Sequence, residues 1–274
     1  MAMRRRTLLT TMIGTTATFD ACPIKAQTEP DTVDVLLVLA VDVSRSIDDD
    51  EARLQRQGYH NAITDPRVVQ AIQGGMLGAV GLAYVEWAGV EYQRLVIPWT
   101  RIATQADAED WAAVLDRAPR QSLSWTSISG GIEFSRRVLG EAPWQAIRRI
   151  IDVSGDGVNN SGPPVEVARD SAVAEGITIN GLPILNARPS FGGSSNVPLD
   201  EYYRDSVVGG AGAFVIAVEE FESFGLAVRR KLIREISDIL PATRMADRAA
   251  AQEPIQARED AASRSEADLA TAGE

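Results

Sequence analysis

The feature that most constrains the fold is a run of seven consecutive apolar residues, Val35 to Val41, near the start of the chain. A continuous apolar run of this length is typical of a strand that is buried on both faces of a parallel sheet. We therefore predict a central strand over Val33 to Val41. A second strong strand is predicted over Arg148 to Val153, a segment that ends in mostly apolar residues.

Apolar runs alternate with amphipathic segments from about Asp34 to Leu240. This alternation is typical of βαβ units, so we predict an α/β fold with a doubly wound, mostly parallel central sheet. A tight turn at Ala88-Gly89 should join two strands and give the sheet one antiparallel edge strand. The further predicted strands are Gly78 to Trp87, Tyr92 to Trp99, Ile177 to Leu185 and Ala213 to Val218. The predicted helices run from the acidic residues 48–51 to Ile63, and over Ala106 to Arg117, Ser127 to Leu139, Pro164 to Ala174 and Phe221 to Leu240.

The two ends of the chain differ from this core. Residues 1–27 resemble an export signal, because Arg4 to Arg6 precede a mildly apolar stretch that is too short to span a membrane. Arg5 and Arg6 also resemble the start of a twin-arginine signal. We therefore predict an exported protein, periplasmic or secreted, with one domain over residues 33–240. Residues 242–274 are poor in large apolar side chains, which predicts a disordered polar tail.

Composition narrows the possible functions. The formal net charge is -11 and the isoelectric point is near 4.7, so nucleic acids and anionic lipid surfaces would be repelled. The chain has one cysteine, Cys22, and therefore no internal disulfide. It has one histidine, His60, which argues against a Ser-His-Asp triad and against a zinc site built from several histidines. We interpret His60 as a surface or packing residue.

Oxygen-bearing side chains follow both of the strongest predicted strands. Asp42-Val43-Ser44-Arg45-Ser46 comes directly after the first strand, and Asp156 follows the second within Ser154-Gly155-Asp156-Gly157. Parallel sheets bind ligands beyond the carboxyl ends of their strands, where these groups should meet. A third hydroxyl-rich loop, Ser122 to Ser127, could reach the same place. Hydroxyls and carboxylates suit Mg²⁺ or Mn²⁺ better than zinc or copper, so we predict a divalent-metal site.

The two motifs, together with Thr126 in the third loop, resemble the metal-ion-dependent adhesion site of von Willebrand factor type A domains. The resemblance covers residues 33–240 and is closest to an uncharacterised group of exported bacterial proteins with one such domain. It implies a Rossmann-like fold and metal-dependent binding of a protein partner, whose acidic side chain completes the shell of Mg²⁺ or Mn²⁺. It also implies the metal residues Asp42, Ser44, Ser46, Thr126 and Asp156.

Two residues depart from the family's pattern. Gly155 stands where the family usually has a threonine before Asp-Gly, and Trp125 beside Thr126 would crowd or cover the metal. Ser124 or Ser127 could replace Thr126 as the hydroxyl ligand. The hydroxyl from this third loop is therefore the least determined of the five ligands.

Other interpretations compete with a metal-dependent binding site. Asp42 and the segment Gly155 to Asn160 also resemble a haloacid-dehalogenase-type phosphatase, in which Asp42 would be the nucleophile. Ser44 stands where that family has its acid-base aspartate, and neither Lys25 nor Lys231 lies between the two motifs, where that family needs a lysine. A scaffold whose metal site is never filled is another alternative, and each motif alone could be a helix cap or a turn. We predict that the protein is not an enzyme.

Several other residues have predicted roles around the core and the site. The loop Arg188 to Asn196 is expected to carry partner specificity, since loops around a site usually do. Tyr202 and Tyr203 could border the metal face or pack a helix, and packing is the preferred interpretation. The predicted core tryptophans are Trp87, Trp99, Trp111 and Trp144.

Overall fold

Within the described residues, five strands form one sheet. The structure is a computed structural model that describes residues 32–185, 197–219 and 223–237 of the 274-residue chain. The strands are β1 (Thr32–Asp42), β2 (Val80–Trp87), β3 (Gln93–Ile102), β4 (Gln145–Gly155) and β5 (Ile177–Pro183). Their order is β3-β2-β1-β4-β5, and neighbouring strands are parallel except β2 and β3. The predicted mostly parallel sheet with one antiparallel edge strand is confirmed.

Helices flank this sheet, as expected for a doubly wound fold. They are α1 (Asp49–Ile63), α2 (Pro66–Gln73), α3 (Gln105–Arg117), α4 (Ile128–Gly140), α5 (Val165–Ala174), α6 (Leu199–Tyr202) and α7 (Phe224–Ser237). The short α6 continues into a π-helical turn, Tyr203–Val207. The described residues contain no helix that is long and apolar enough to cross a membrane.

The position of β1 explains its apolar sequence. All of its residues from Val33 to Val41 are buried, because it lies between β2 and β4 and has helices on both faces. From Val35 onward its side chains alternate between two cores, as the pleat of a strand requires. Val35, Leu37, Leu39 and Val41 join the core formed with α1, α2, α3 and α7. Leu36, Val38 and Ala40 join the core formed with α4 and α5.

The helix α2 has no counterpart among the predicted elements, although its sequence contains ordinary start signals. The Asp65 carboxylate accepts a hydrogen bond from the backbone N–H of Arg67 (2.9 Å), and Pro66 occupies the first helical position. Acidic caps and an initial proline both favour a helix start. Val68 and Ile72 of this helix are buried in the first core.

The prediction of a continuous strand over Ala213 to Val218 is wrong. The segment lies beside β5 in parallel orientation, but it pairs through isolated bridges only, Gly181 with Val215 and Ile184 with Val218. The backbone N–H of Phe214 donates to the side-chain Oδ1 of Asn180 (3.1 Å) instead of to a strand carbonyl. The ladder itself is interrupted at Pro183 of β5, which has no N–H to donate between the bonded groups of Gly181 and Leu185.

The residues predicted to pack in the core differ in how far they are buried. Trp87 and Trp111 are fully buried, whereas Trp99 and Trp144 are partly buried and pack against the second core. His60 is partly exposed at the end of α1, and its Nδ1 lies 2.9 Å from the Asp116 carboxylate.

Three other predicted features lie outside the described residues: the export signal over residues 1–27, the specificity loop over residues 188–196 and the tail over residues 242–274.

The registers of the central strands bring the two acidic motifs to one edge of the sheet. Val41 of β1 pairs with Glu86 of β2 on one side and with Ser154 of β4 on the other. Asp42 therefore lies at the end of β1 beside the end of β4, and Asp156 follows directly after β4.

Candidate metal centre

Asp42 is a buried carboxylate with one satisfied oxygen and one unsatisfied oxygen. Its Oδ1 accepts a hydrogen bond from the backbone N–H of Ser44 (2.7 Å), which fixes the turn that follows β1. Its Oδ2 is buried and has no hydrogen-bond partner among the described residues. Native structures rarely leave a buried polar atom unpartnered, so this oxygen requires an explanation.

Hydroxyls connect the first motif to the second. Ser44 Oγ and Ser46 Oγ lie 2.9 Å apart, within hydrogen-bonding distance. Ser46 Oγ in turn donates to Asp156 Oδ1 over 2.6 Å, although the two residues are 110 positions apart in the chain. The structure therefore brings Asp42, Ser44, Ser46 and Asp156 into one connected group.

Thr126 lies at the same edge and is held there by backbone contacts. Its N–H donates to the side-chain Oδ1 of Asn160 (2.8 Å), and its carbonyl accepts from the N–H groups of Asn160 (2.9 Å) and Ser161 (3.1 Å). A Cβ atom built on Gly157 would lie 3.6 Å from Thr126 Oγ1, so this hydroxyl lies beside the turn that carries Asp156. The loop after β4 therefore positions the third loop.

The two alternative hydroxyls of the third loop have other surroundings. Ser127 is fully buried and caps α4, since its Oγ accepts from the N–H of Gly130 (3.2 Å). Ser124 is exposed and lines a cleft beside the site. Thr126 is thus the best-placed hydroxyl of this loop for the group around Asp156.

Two asparagines of the β4–α5 loop hold the loops of the centre, a role that the sequence interpretation did not assign to them. Asn160 holds Thr126, as described, and Asn159 Oδ1 accepts from the backbone N–H of Ser129 (3.0 Å) at the start of α4. Their place directly after Asp156-Gly157 was the available signal, because asparagine side chains commonly bond to nearby backbone groups in loops.

Trp125 is turned toward solvent beside the centre. Its side chain is 63% exposed and lines a cleft of about 560 Å³ together with Arg45, Val90, Glu91, Tyr92 and Asn160. Among the described residues, Trp125 is the one non-glycine residue with a left-handed backbone, with a φ of 73°. A bulky residue in this conformation is a genuine outlier. Trp125 therefore lies at the rim of the centre.

Burial and like charge dominate the electrostatics of the centre. The pKa of Asp42 is raised well above its usual value, first by burial and then by the negative charge of Asp156, while Ser44 and the backbone of Asp156 oppose the rise. Burial also raises the pKa of Tyr203 well above 10, and the charges of Asp42 and Asp156 add to it. A nearby cation would favour the ionised form of both carboxylates.

Tyr203 packs in the second core, as the preferred interpretation had it, and it also borders this centre. It is fully buried within the second core, and a Cβ atom built on Gly155 would lie 2.9 Å from its hydroxyl oxygen and 3.0 Å from Asp42 Oδ2. The position before Asp156 therefore has no room for the threonine that the adhesion-site pattern usually has there.

The side chains present fit a hard divalent cation. The acceptor atoms that converge are carboxylate and hydroxyl oxygens, which Mg²⁺ and Mn²⁺ prefer. No group of three or more His, Cys, Asp or Glu side chains suited to a metal occurs in residues 32–185, 197–219 and 223–237. A centre at this edge would thus depend on hydroxyls as much as on charge, and the unsatisfied Asp42 Oδ2 offers it a free acceptor.

The family model described as "Protein of unknown function (DUF1194)" matches residues 32–240. The chain belongs to this family. The match extends over both acidic motifs, the third loop and Tyr203. No curated protein matches the chain.

Solved structures with the same fold are distant in sequence. A von Willebrand factor type A protein from Catenulispora acidiphila has a TM-score of 0.53 and 15% identity, over 75% of this chain and 43% of that chain. The pilus adhesin SpaC from Lactobacillus rhamnosus GG has a TM-score of 0.55 and 12% identity, over 74% of this chain and 31% of that chain. Proximal thread matrix protein 1 from the mussel byssus, with a zinc-occupied MIDAS motif, has a TM-score of 0.52 and 15% identity, over 76% of this chain and 47% of that chain.

These matches show that the DUF1194 chain has the von Willebrand factor type A fold, as the motifs implied. The chain spans less than half the length of each of these three structures.

Proposed function

We propose that this DUF1194 protein is a binding module that takes Mg²⁺ or Mn²⁺ at Asp42, Ser44, Ser46, Thr126 and Asp156 and binds a protein partner through it. The observation that carries the proposal is the buried, unpartnered Oδ2 of Asp42 beside the hydrogen-bonded chain from Ser44 to Asp156. A buried carboxylate oxygen without a partner is costly, and a bound cation would remove that cost.

The residues of the proposed centre supply charged and neutral oxygen ligands. Asp42 and Asp156 supply negative charge, directly or through water, and the three hydroxyls supply neutral oxygens. The bound cation would supply an electrophilic position for an acidic side chain of the partner. This explains how a chain with a net charge of -11 could bind an acidic group. The hydrogen bonds to Ser44 and Thr126 hold the loops in place before any ligand arrives.

The rim of the centre supports a partner surface around Trp125. Its left-handed backbone is fixed from both sides, because Leu123 O accepts from the N–H of Arg45 (2.9 Å) and Thr126 is bound to Asn160. Backbone strain of this kind persists where the surroundings over-determine it, and it clusters at functional sites. Tryptophan and arginine are also the residue types that dominate binding interfaces. We therefore assign Trp125 and the exposed Arg45 to the partner contact.

The comparisons support a binding role in general terms only. SpaC is a pilus adhesin, and the mussel protein carries zinc at a MIDAS motif. A shared fold does not carry function by itself, so the residues of this chain must bear the argument. Export remains a proposal that rests on the predicted signal over residues 1–27.

An enzymatic role is less well supported by the side chains. The phosphatase alternative needs a lysine near Asp42, but Lys231 is buried in ion pairs with Asp152 and Glu235. Ser44 also uses its backbone N–H to hold Asp42 in a tight turn. We therefore propose a non-enzymatic binding function.

Metal titration tests this proposal. We expect Mg²⁺ or Mn²⁺ at a hundred times its dissociation constant to stabilise the full chain by about 2.7 kcal/mol, which is a rise in melting temperature of roughly 5 to 10 °C. Asp42→Ala should abolish the rise while circular dichroism shows an intact fold. Asp110→Ala, which removes an exposed carboxylate on α3, should keep it. Absence of any shift in the wild-type protein at millimolar metal would refute the proposed centre.

A further inference from the structure

The side chain of Tyr203 reaches the metal centre through a space that two glycines leave open. A Cβ atom built on Gly181 of β5 would lie 2.8 Å from Tyr203 Cδ1, and one built on Gly155 of β4 would lie 2.9 Å from its hydroxyl oxygen. Any larger residue at either position would collide with the tyrosine. The ring therefore depends on both glycines to lie over the ends of β4 and β5.

The hydroxyl of Tyr203 and Asp42 Oδ2 are two buried polar atoms without hydrogen-bond partners among the described residues. The same point, the Cβ position of Gly155, lies 2.9 Å from one and 3.0 Å from the other. The tyrosine hydroxyl can donate a hydrogen bond, and the oxygen of the ionised carboxylate can only accept one. A small movement, or a water molecule between them, would satisfy both at once.

The backbone around Tyr203 is specialised for this placement. Tyr203 begins the π-helical turn, and its carbonyl accepts from the N–H of Val208 (2.9 Å). This bond spans five residues, whereas the bonds of an α-helix span four. Such turns are rare and occur frequently at functional sites. Packing alone does not explain the hydroxyl, because a phenylalanine would fill the same apolar space without burying an unsatisfied oxygen.

We propose that Tyr203 is a positioning residue of the metal centre, whose hydroxyl orients the Asp42 carboxylate for a divalent cation in the place where the adhesion-site pattern has a threonine at position 155. This inference rests on the proposed function.

The test measures Mn²⁺ alone, by electron paramagnetic resonance of the free ion, in the full-length wild-type protein and in Tyr203→Phe. We expect Tyr203→Phe to weaken Mn²⁺ binding by about ten-fold or more, since loss of a group that orients a metal ligand typically costs 10- to 100-fold in affinity. The metal-free variant should melt at the same temperature as the wild type or higher, because an unsatisfied buried hydroxyl is removed. A tyrosine that served only to stabilise the fold would give the opposite pattern.

Two other tyrosines provide matched controls. Tyr84 is also fully buried with an unpartnered hydroxyl, but it lies in the first core against Tyr59 and Trp111. Tyr202 is next to Tyr203 in the chain, and its hydroxyl accepts from the N–H of Asn159 (3.2 Å). Tyr84→Phe should leave Mn²⁺ affinity unchanged, and Tyr202→Phe should change it less than Tyr203→Phe does.

A spectroscopic signature separates the possible failures. Mn²⁺ should produce a tyrosine ultraviolet difference spectrum in the wild type that is lost in Tyr203→Phe and kept in Tyr84→Phe. If the wild type binds Mn²⁺ but Tyr203→Phe binds it equally well, the role of Tyr203 is disproved and the metal centre stands. If the wild type binds no Mn²⁺, the proposed function itself fails.

Discussion

Two buried acidic clusters include residues from the end of β4: Asp152 lies within the strand and Asp156 follows it. The clusters differ in whether they contain a cation. The interior cluster contains Asp152, Glu235 and Lys231, all fully buried, with Lys231 Nζ 2.7 Å from Asp152 and also paired with Glu235. The edge cluster contains Asp42 and Asp156, and Asp42 makes no ion pair within the described part of the chain. The interior cluster supplies its own cation, whereas Asp42 faces another carboxylate.

This difference shows what each cluster can do. Lys231 joins α7 to β4, and Asn180 of β5 extends the network by donating to Glu235 (2.8 Å). All the members of that cluster are side chains of the protein, which suits a structural role. The edge cluster concentrates negative charge where loops meet solvent, which suits an ion that arrives from outside. A buried cluster that contains its own cation should therefore lose more stability on substitution than a buried pair of like charges.

The largest expected effect is at Lys231. Lys231→Met removes the cation and leaves Asp152 and Glu235 buried together, so we expect the free energy of unfolding to fall by about 3 to 5 kcal/mol. Urea unfolding measures this change. Asp42→Asn is the matched change at the edge: without metal it removes like-charge repulsion, and it should change stability by about 1 kcal/mol or less. Equal losses of unfolding free energy in the two variants would contradict the proposed difference between the clusters.

The interior cluster should make the stability of the fold depend on pH. Burial raises the pKa of Glu235 to about 7 from an ordinary 4.5, with a further rise from Asp152 and an opposing effect from Lys231. Between these values the folded chain binds the proton more strongly than the unfolded chain, so the free energy of unfolding falls as pH rises from about 4.5 to about 7. One pKa unit corresponds to about 1.4 kcal/mol, so the fall from this group is at most about 3 to 4 kcal/mol.

Glu235→Gln should flatten this pH profile, as followed by urea unfolding at several pH values. Asp42 contributes a change of the same sign, since its pKa is also raised. Saturating Mg²⁺ should remove the contribution of Asp42 and leave that of Glu235. A profile that rises with pH over this window, or one that Glu235→Gln leaves unchanged, would contradict the assignment.

The smallest expected effect is at the rim of the edge cluster. Trp125→Gly relieves the left-handed strain, whereas Trp125→Ala keeps it, so the glycine variant should be more stable by about 1 kcal/mol. Both variants lose the indole and should weaken partner binding equally. Thermal melts give the first comparison. If the alanine variant is the more stable one, Trp125 is not strained, and the argument from strain for a partner surface fails.

The parts of this molecule that could be predicted depend on local sequence. The apolar runs before Asp42 and Asp156 predict two buried parallel strands, and parallel strands place their carboxyl ends at one edge. The structure brings these residues together through Ser46, as the motif spacing indicates. Helix-start signals at Asp65 and Pro66 were present as well, and α2 follows from them.

The parts that could not be predicted depend on contacts between distant segments. Tyr203 lies beside Asp42 because Gly155 and Gly181, on neighbouring strands, leave room for its ring, and no local pattern indicates this arrangement. The left-handed backbone of Trp125 is held by anchors on two other loops, at Arg45 and Asn160. The interrupted pairing of residues 213–218 likewise depends on a residue of the adjacent strand, Pro183, which has no N–H for the ladder.

The hydrogen bond between Ser46 and Asp156 closes a loop of 110 residues. Loop closure on this scale carries an entropic cost, and contacts between such distant segments form late when a chain folds. The acidic edge therefore exists only after β1 and β4 have paired. Early in folding the two aspartates are far apart and hydrated, so their mutual repulsion does not oppose the search for the native topology. An ion that binds this edge would prolong the lifetime of the folded state without hastening its formation.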